Sequence, residues 1–124
     1  MKINAAIIGS GIGIKHLEAI NNYKKSKVSI LYEKDKSKIL FLKKKYPNIK
    51  IISTEHEIFQ DNRINLVSIA SYDNYHFSQI VKCIKYNKNI IIEKPMCLTF
   101  SQLKKINSLI KKKPKIRIAS NLVL

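Results

Sequence analysis

The sequence of 124 residues contains no tryptophan, two cysteines, three glycines, three prolines and eight acidic residues. It also lacks an apolar run of the roughly 18 residues needed to cross a bilayer. Its start, Met1-Lys2-Ile3-Asn4, leads directly into a strand pattern instead of a signal-peptide core. These absences predict no membrane segment and a cytoplasmic location. The length suits one domain with its own core, and we expect residues 1–124 to form it.

The two cysteines, Cys83 and Cys97, fall in different predicted elements and form no CxxC pair. We therefore expect two reduced thiols rather than a disulfide or a metal site. No other spacing of metal ligands stands out, so the sequence predicts no metal site.

Acidic residues are scarce beside the 24 Lys and Arg, which gives a formal net charge of +16. Such a charge can favour nucleic acid or an anionic membrane as a partner. However, Lys24-Lys25, Lys43–Lys45 and Lys111–Lys113 each fall where a helical pattern ends, and cations there complement the helix dipole. No basic groove with interleaved aromatic residues accompanies them. We interpret the excess as solvated surface at the sheet edge where the helices end, and nucleic-acid binding is the less favoured alternative.

All three glycines lie in one stretch, Ala5-Ala6-Ile7-Ile8-Gly9-Ser10-Gly11-Ile12-Gly13-Ile14, which predicts a strand, a tight turn and a helix start. Glycines at such a turn let a diphosphate reach backbone N–H groups and a helix N-terminus, because no Cβ blocks the approach. The spacing is one residue shorter than the usual G-x-G-x-x-G. About 20 residues later a second apolar strand ends in Glu33, where a ribose-binding carboxylate is expected. The alternative is an ordinary strand-helix turn with Glu33 as a solvated charge.

Strand and helix patterns alternate along the whole chain. Apolar strands are predicted at Ile3–Gly9, Val28–Glu33, Ile49–Ile52, Ile64–Ala70, Ile90–Glu93 and Ile116–Ala119. The alternation predicts an α/β fold, a Rossmann-type doubly wound parallel sheet of about six strands in three layers, α/β/α. Ligands of such sheets bind beyond the carboxyl ends of the strands.

Between the strands, five helices are predicted, and their caps and buried faces follow from side-chain chemistry and spacing. The expected caps are Asp35 or Ser37, Asp73 or Asn74, and Thr99 paired with Gln102. The expected buried faces are Ile39, Leu40, Phe41 and Leu42 in the second helix, Phe77, Ile80, Val81 and Ile84 in the fourth, and Phe100, Leu103, Ile106 and Ile110 in the last.

Four segments meet at the carboxyl edge of this predicted sheet. They are the glycine turn followed by His16, the strand end Glu33-Lys34-Asp35, the segment Ala70-Ser71-Tyr72-Asp73-Asn74-Tyr75-His76, and Glu93-Lys94-Pro95-Met96. Together they resemble the N-terminal domain of the glucose–fructose oxidoreductase and inositol dehydrogenase family (Gfo/Idh/MocA), with Glu-Lys-Pro as the most specific element. Two departures stand out: Ser71 and Tyr72 replace the common Thr-Pro, and the chain stops about where the family's second, substrate-binding domain begins.

The resemblance implies reversible hydride transfer between a nicotinamide cofactor and a secondary alcohol of a sugar, sugar nucleotide or polyol. It implies Lys94 as the catalytic residue, since an ammonium can hydrogen-bond a carbonyl or alkoxide. NAD is expected because Glu33 would repel a 2′-phosphate, while Lys34 and Lys36 leave NADP possible. The expected cofactor contacts are Gly9, Ser10, Gly11, Ile12, Gly13, Ile14, Glu33, Ala70, Ser71, Tyr72, Asn74, His76, Glu93, Lys94 and Pro95.

The resemblance also predicts a cis Lys94–Pro95 peptide bond. His16 and His76 occupy motif positions in first helical turns, where we expect them to support loops rather than to catalyse, and His56 has no motif support. Apolar residues around the crevice, Ile12, Met96, Leu98 and Leu122–Leu124, predict self-association into a homo-oligomer or a partner chain that supplies the substrate side. The remaining alternatives are a non-catalytic nucleotide-binding module and a basic protein associated with nucleic acid.

Overall fold

The structure, a computed structural model, describes residues 2–121. Strands and helices alternate in the order β1 (Ile3–Ile8), α1 (Gly13–Asn22), β2 (Ser26–Tyr32), α2 (Lys36–Lys45), β3 (Lys50–Ile52), α3 (His56–Gln60), β4 (Leu66–Ile69), α4 (Asp73–Lys85), β5 (Asn89–Glu93), α5 (Phe100–Lys111) and β6 (Ile118–Asn121). The six strands form one parallel sheet in the order β3-β2-β1-β4-β5-β6. The predicted fold class is confirmed, and no strand end differs from its predicted position by more than two residues.

Strand β1 lies in the middle of the sheet because both of its faces are apolar. Ala5 and Ile7 face the core beneath α1 and α2, whereas Ala6 and Ile8 belong to the larger core on the opposite face. All four residues are completely buried. Successive side chains of a strand point to opposite faces, so only a strand covered by helices on both sides can bury such a run.

The order of the sheet reverses between β1 and β4, since the chain leaves β1 towards β2 on one side and returns beside it as β4. At this point Gly9 N donates to Tyr32 O at 2.9 Å and Ala70 N donates to Ile8 O at 2.8 Å. The carboxyl ends of four strands therefore bring Gly9, Glu33, Ala70 and Glu93 to a single edge, where doubly wound sheets bind their ligands.

The predicted buried faces of α2 and α5 are partly wrong. In α2 only Leu42 is fully buried, and Leu40 and Phe41 are 66% and 64% exposed. In α5 Ile106 is buried, but Phe100 is 71% exposed and Leu103 is also on the surface. Successive residues of a helix point in different directions, so a run of adjacent apolar residues cannot all point inward.

The buried face of α4 is rotated from the predicted one and includes polar residues. Ile80 and Ile84 are buried as expected, but Phe77 and Val81 are only half-buried, and His76 and Gln79 lie in the core in their place. Both polar side chains have hydrogen-bond partners, which offset the free-energy cost of removing them from water.

Helix capping follows the prediction at two of three helices. Asp35 Oδ1 accepts from Ser37 N at 3.0 Å, and Thr99 Oγ1 accepts from Gln102 N at 3.1 Å. In α4 the prediction of Asp73 or Asn74 as the cap is wrong: the helix begins at Asp73, and the residue at the cap position is Tyr72, whose side chain makes no cap hydrogen bond.

The lysine runs lie where helices end, and for two of them the predicted edge is confirmed. Lys25 O accepts from Ile3 N at the start of β1, and Lys113 Nζ donates to Asn87 Oδ1 at 2.7 Å just before β5. Lys45 departs from the prediction: its ammonium lies over the Phe41 and Tyr46 rings, and its side chain lines a groove between α1 and α2 that Ser10 of the glycine turn also lines.

Both cysteines are free, with Cys83 buried and Cys97 half-buried. Burial raises the pKa of the Cys83 thiol, which keeps it protonated and unreactive. Within residues 2–121, no helix combines the length and the apolar character needed to cross a membrane.

Candidate functional site

The three glycines of the turn have different structural reasons to be glycine. Gly9 has a φ of +98°, and a Cβ built on it would lie 2.6 Å from the carbonyl oxygen of Ala70. A Cβ on Gly13 would lie 2.9 Å from Ile7 Cγ2, so this glycine lets α1 approach β1 closely. Gly9 therefore serves the turn and Gly13 serves the helix packing.

Gly11 has no such reason within the protein. Among residues 2–121, apart from Gly11 and its chain neighbours, no atom lies within 4 Å of the position that its Cβ would occupy, and its φ lies outside the left-handed region. The open space lies beside the start of α1, where no side chain caps the helix at Ile12. A bare backbone next to an uncapped helix N-terminus suits a diphosphate, so the turn fits the group that its sequence predicts.

Glu33 is held in place by the glycine turn. Its Oε1 accepts hydrogen bonds from Ser10 N at 3.2 Å and from the Ser10 hydroxyl, and its Oε2 accepts from Asp35 N at 2.7 Å. The residue is only 8% exposed, so it is not a solvated strand-end charge. These donors occupy three of about four acceptor positions of the carboxylate, and one remains for a ribose hydroxyl.

Lys34 places a positive charge next to that carboxylate. Its Nζ donates to Tyr75 Oη at 2.5 Å and lies 4.8 Å from the centre of the Tyr75 ring. The hydrogen bond raises the pKa of Lys34 and lowers the pKa of Tyr75. An ammonium therefore stays charged at the edge where the ribose end of a dinucleotide is expected.

The loop after β4 is tied to two helices by a polar network. Ser71 Oγ donates to Gln79 Oε1 at 2.5 Å, and Gln79 Nε2 donates to Glu55 Oε2 at 2.9 Å. Glu55 also pairs with Lys82 Nζ at 2.6 Å. Ser71 thus fixes the loop without the Thr-Pro pair that is common in the family it resembles, and Tyr72 and Asn74 beside it are exposed.

Strand β5 ends at Glu93, and Lys94 and Pro95 lie in the turn that follows it. Lys94 is exposed, and the Lys94–Pro95 peptide bond is cis as predicted. Glu93 Oε1 lies 2.6 Å from His16 Nε2, and the other ring nitrogen of His16 hydrogen-bonds the Ser68 hydroxyl. The link from α1 to Glu93 was not predicted, although the position of His16 three residues after the last glycine had marked it as a motif residue.

His76 is the predicted cofactor contact that the geometry removes from the site. The residue is completely buried. Its Nδ1 lies 2.6 Å from Pro95 O and its Nε2 lies 3.0 Å from Ser71 O. Both ring nitrogens therefore face protein carbonyls, and no ring atom reaches the crevice. The expectation that His76 supports loop structure is confirmed.

The remaining predicted contacts fall along the same edge. Ile12 is 52% exposed at the tip of the turn, Ile14 is half-buried, and Ala70 is buried under Gly9. Of the predicted apolar residues around the crevice, Leu98 is 56% exposed and Met96 is half-buried, while Leu122–Leu124 lie outside the described residues. Exposed Tyr72 and Phe100 belong to the loop after β4 and the start of α5, and the sequence did not single them out for this surface.

Comparisons with known proteins agree with this geometry. A family model described as an oxidoreductase family with an NAD-binding Rossmann fold, GFO_IDH_MocA, matches residues 3–121. An uncharacterised oxidoreductase of Escherichia coli, YdgJ, is 24% identical over 111 residues, which are 88% of this chain and 31% of that protein. The scyllo-inositol 2-dehydrogenase (NADP(+)) IolW of Bacillus subtilis is 26% identical over 102 residues, or 78% of this chain and 27% of that protein.

Among solved structures, scyllo-inositol dehydrogenase from Lactobacillus casei, with NAD(H) and scyllo-inositol bound, superposes with a TM-score of 0.88 at 20% identity. The match covers 98% of this chain and 36% of that one. At this identity the likeness shows the fold. The chain spans about a third of the length of the relatives that it matches.

Proposed function

Because the chain belongs to the Gfo/Idh/MocA oxidoreductase family, with its NAD-binding Rossmann fold, we propose that it is the dinucleotide-binding half of a dehydrogenase. The reaction is reversible hydride transfer between a nicotinamide cofactor and a secondary alcohol of a sugar, sugar nucleotide or polyol. The observation that carries the proposal is Gly11, whose open backbone at the start of α1 has no purpose in the packing of the protein itself.

Residues that follow β1 and β2 would hold the diphosphate and the ribose of the cofactor. Gly11 and the first turn of α1 offer the diphosphate a helix N-terminus. Glu33 keeps an acceptor position for a ribose hydroxyl, which favours NAD, and the Lys34 ammonium beside it makes NADP tolerable. Both cofactors occur by name among the relatives, NADP(+) for IolW and NAD(H) for the Lactobacillus casei enzyme.

Lys94 is the proposed catalytic residue. The bound nicotinamide supplies the hydride chemistry, and the protein supplies orientation and electrostatics. Lys94 is exposed at the rim of the edge where the other site residues meet. An ammonium there can hydrogen-bond the substrate oxygen and offset negative charge as it forms.

The described residues form one wall of the reaction site, and we propose that a second domain or a partner chain forms the other. Exposed apolar side chains at this edge, Ile12, Tyr72 and Leu98, suit a covering surface. Near-attack positioning of the alcohol can be worth about 7 to 11 kcal/mol of the barrier. The 124-residue chain alone is therefore expected to bind a dinucleotide without turning over polyols or nucleotide sugars.

The test has a binding stage and a catalytic stage. Purified chain is titrated with NADH and NADPH by fluorescence, and saturable binding with a preference for NADH is expected. The chain is then fused to the remaining two thirds of Escherichia coli YdgJ, and NADH formation is measured on a panel of polyols.

An active fusion that loses turnover in Lys94→Ala, but not in the exposed surface variant Lys104→Ala, supports the role of Lys94. A fusion that binds NADH without turnover favours the non-catalytic module. Failure to bind either dinucleotide refutes the proposal, and so does turnover by the unfused chain at about 1 per second or faster, because one domain would then suffice.

A further inference from the structure

Two histidines, His16 half-buried and His76 completely buried, contact the Lys94-bearing turn from opposite faces of the sheet. His16 comes from the first turn of α1 and reaches the side chain of Glu93. His76 comes from the first turn of α4 and reaches the backbone oxygen of Pro95. Each of these helices begins at the cofactor edge, so the turn that carries Lys94 is tied directly to both.

The contacts of His16 form a chain of hydrogen bonds through its ring. The Glu93 carboxylate accepts at Oε1 from Nε2–H at 2.6 Å, which leaves Nδ1 to accept from the Ser68 hydroxyl. A serine, a histidine and a carboxylate in contact are also the parts of a hydrolase. Here the serine is completely buried, so no substrate reaches it, and the chain can only position its members.

His76 ties the turn after β5 to the first turn of α4. Carbonyl oxygens can only accept and a neutral imidazole has one N–H, so we assign the proton to Nδ1, which donates to Pro95 O at 2.6 Å, the shorter contact; Nε2 lies 3.0 Å from Ser71 O. The ring is completely buried. The buried ring therefore holds the turn after β5 from the first turn of α4.

We propose that His16 and His76 are positioning residues that together set where the Lys94 ammonium stands relative to the nicotinamide ring. The inference rests on the proposed function, because it takes the nicotinamide to lie beside Lys94. Its basis is that each histidine holds the turn from one face of the sheet. His16 holds it through the Glu93 side chain, and His76 holds it through the backbone carbonyl of Pro95. Removing either hold should loosen Lys94 without touching the diphosphate or the ribose contacts.

The experiment compares NADH with ADP-ribose, which shares the adenosine and the diphosphate but lacks the nicotinamide. The ratio of the two dissociation constants isolates the nicotinamide end of the site. Lys94→Ala is the positive control, because it removes the ammonium itself. His56→Asn is the negative control, since His56 is an exposed histidine in α3.

At each histidine, one amide variant keeps the important donor and the other loses it. At position 16, glutamine places an amide where Nε2 stood and can still donate to Glu93, whereas asparagine cannot reach it. At position 76, asparagine places an amide where Nδ1 stood and can still donate to Pro95 O, whereas glutamine cannot. We expect His16→Asn and His76→Gln to lower the preference for NADH by about threefold to tenfold, and His16→Gln and His76→Asn to retain it.

The ADP-ribose affinity distinguishes the outcomes. An unchanged ADP-ribose affinity with a lost NADH preference in the two predicted variants supports the inference. An unchanged ratio in folded variants overturns it, and so does an equal loss for both ligands or a failure to fold, because the histidines would then have only a structural role. If the wild-type chain binds neither ligand, the proposed function itself fails, whereas wild-type binding of both ligands with an unchanged ratio in the variants shows that only the positioning role is wrong.

Discussion

Substituting the glycines of the turn should separate folding from cofactor binding. Gly9→Ala forces a left-handed φ on an alanine and drives its Cβ to 2.6 Å from Ala70 O. The backbone strain alone costs about 1 to 3 kcal/mol, and the carbonyl must also move. For a domain of this size we expect a loss of about 4 °C in Tm per kcal/mol.

Gly11→Ala should leave the fold intact and weaken cofactor binding. Its Cβ meets no atom within 4 Å, so the folded protein has room for it. Alanine also restricts the unfolded chain, which can stabilise the fold by about 0.4 to 1 kcal/mol. The added Cβ would, however, keep a diphosphate from reaching the backbone N–H. The loss of one charge-assisted hydrogen bond costs about 1.5 to 3 kcal/mol, which weakens binding roughly tenfold to a hundredfold in Kd.

Thermal unfolding and NADH titration of both variants provide the measurements. The expected pattern is a lower Tm for Gly9→Ala, and an unchanged or higher Tm with weakened NADH binding for Gly11→Ala. Wild-type NADH affinity in Gly11→Ala would show that the diphosphate does not approach this backbone. A large loss of Tm in the same variant would show that the space beside Gly11 is needed by the protein itself.

Three further predictions concern single side chains. Hydrogen bonds from Arg63 lower the pKa of Asp61 to about 2. Asp61→Asn should therefore lower the free energy of unfolding by about 1 kcal/mol at pH 7. In an acid denaturation series this difference should vanish as the pH falls from 3.8 through about 2. Burial lowers the pKa of Lys88, whose Nζ donates to Asp61 O and to Ile64 O. Urea unfolding should show Lys88→Met less stable than the wild type by about 2 kcal/mol at pH 7, and this deficit should grow as the pH rises from the lowered pKa of Lys88 to its ordinary pKa of 10.5. A deficit that does not change with pH would show that the pKa of Lys88 is not lowered in the folded protein. Glu33→Gln should shift the ratio of NADPH to NADH affinity towards NADPH by about tenfold in parallel titrations, and an unchanged ratio would show that Glu33 does not face the ribose.

Features that depend on nearby residues were predictable from the sequence. The strands follow from their apolar runs, and the caps at Asp35 and Thr99 follow from short-range side-chain chemistry. The absence of a cap at the start of α4 was not predictable, because Asp73 is as good a capping residue as Asp35. Its role depends on where the helix begins relative to the loop after β4, and tertiary contacts decide that.

Burial was harder to predict than secondary structure. Phe41 and Phe100 are large apolar residues in helices, yet both are mostly exposed, while His76 and Gln79 are buried. The sequence shows which residues prefer the core but not which polar residues will find partners there. His76 meets carbonyls of Ser71 and Pro95, and the second of these lies 19 positions away.

The site shows the same division. Its residue types and the edge where they meet were predictable from motifs and from the rule for parallel sheets. The bonds that fix them were not, because Glu33 pairs with Ser10 across 23 positions and His16 pairs with Glu93 across 77. Such pairs depend on side-chain direction in the folded molecule, which a sequence motif does not specify.

The position of β1 at the centre of the sheet has a consequence for synthesis of the chain. Its partner on one side, β2, follows within about 25 positions, but its partner on the other side, β4, follows only after about 60. At roughly 5 to 20 residues per second, β4 emerges about 3 to 12 s after β1. During that interval one edge of a strand made of Ala5, Ala6, Ile7 and Ile8 has no partner, and such an edge pairs readily with other chains. A strand that has partners on both sides in the finished protein therefore has an open edge during synthesis, and we expect this edge to be a starting point for aggregation of nascent chains.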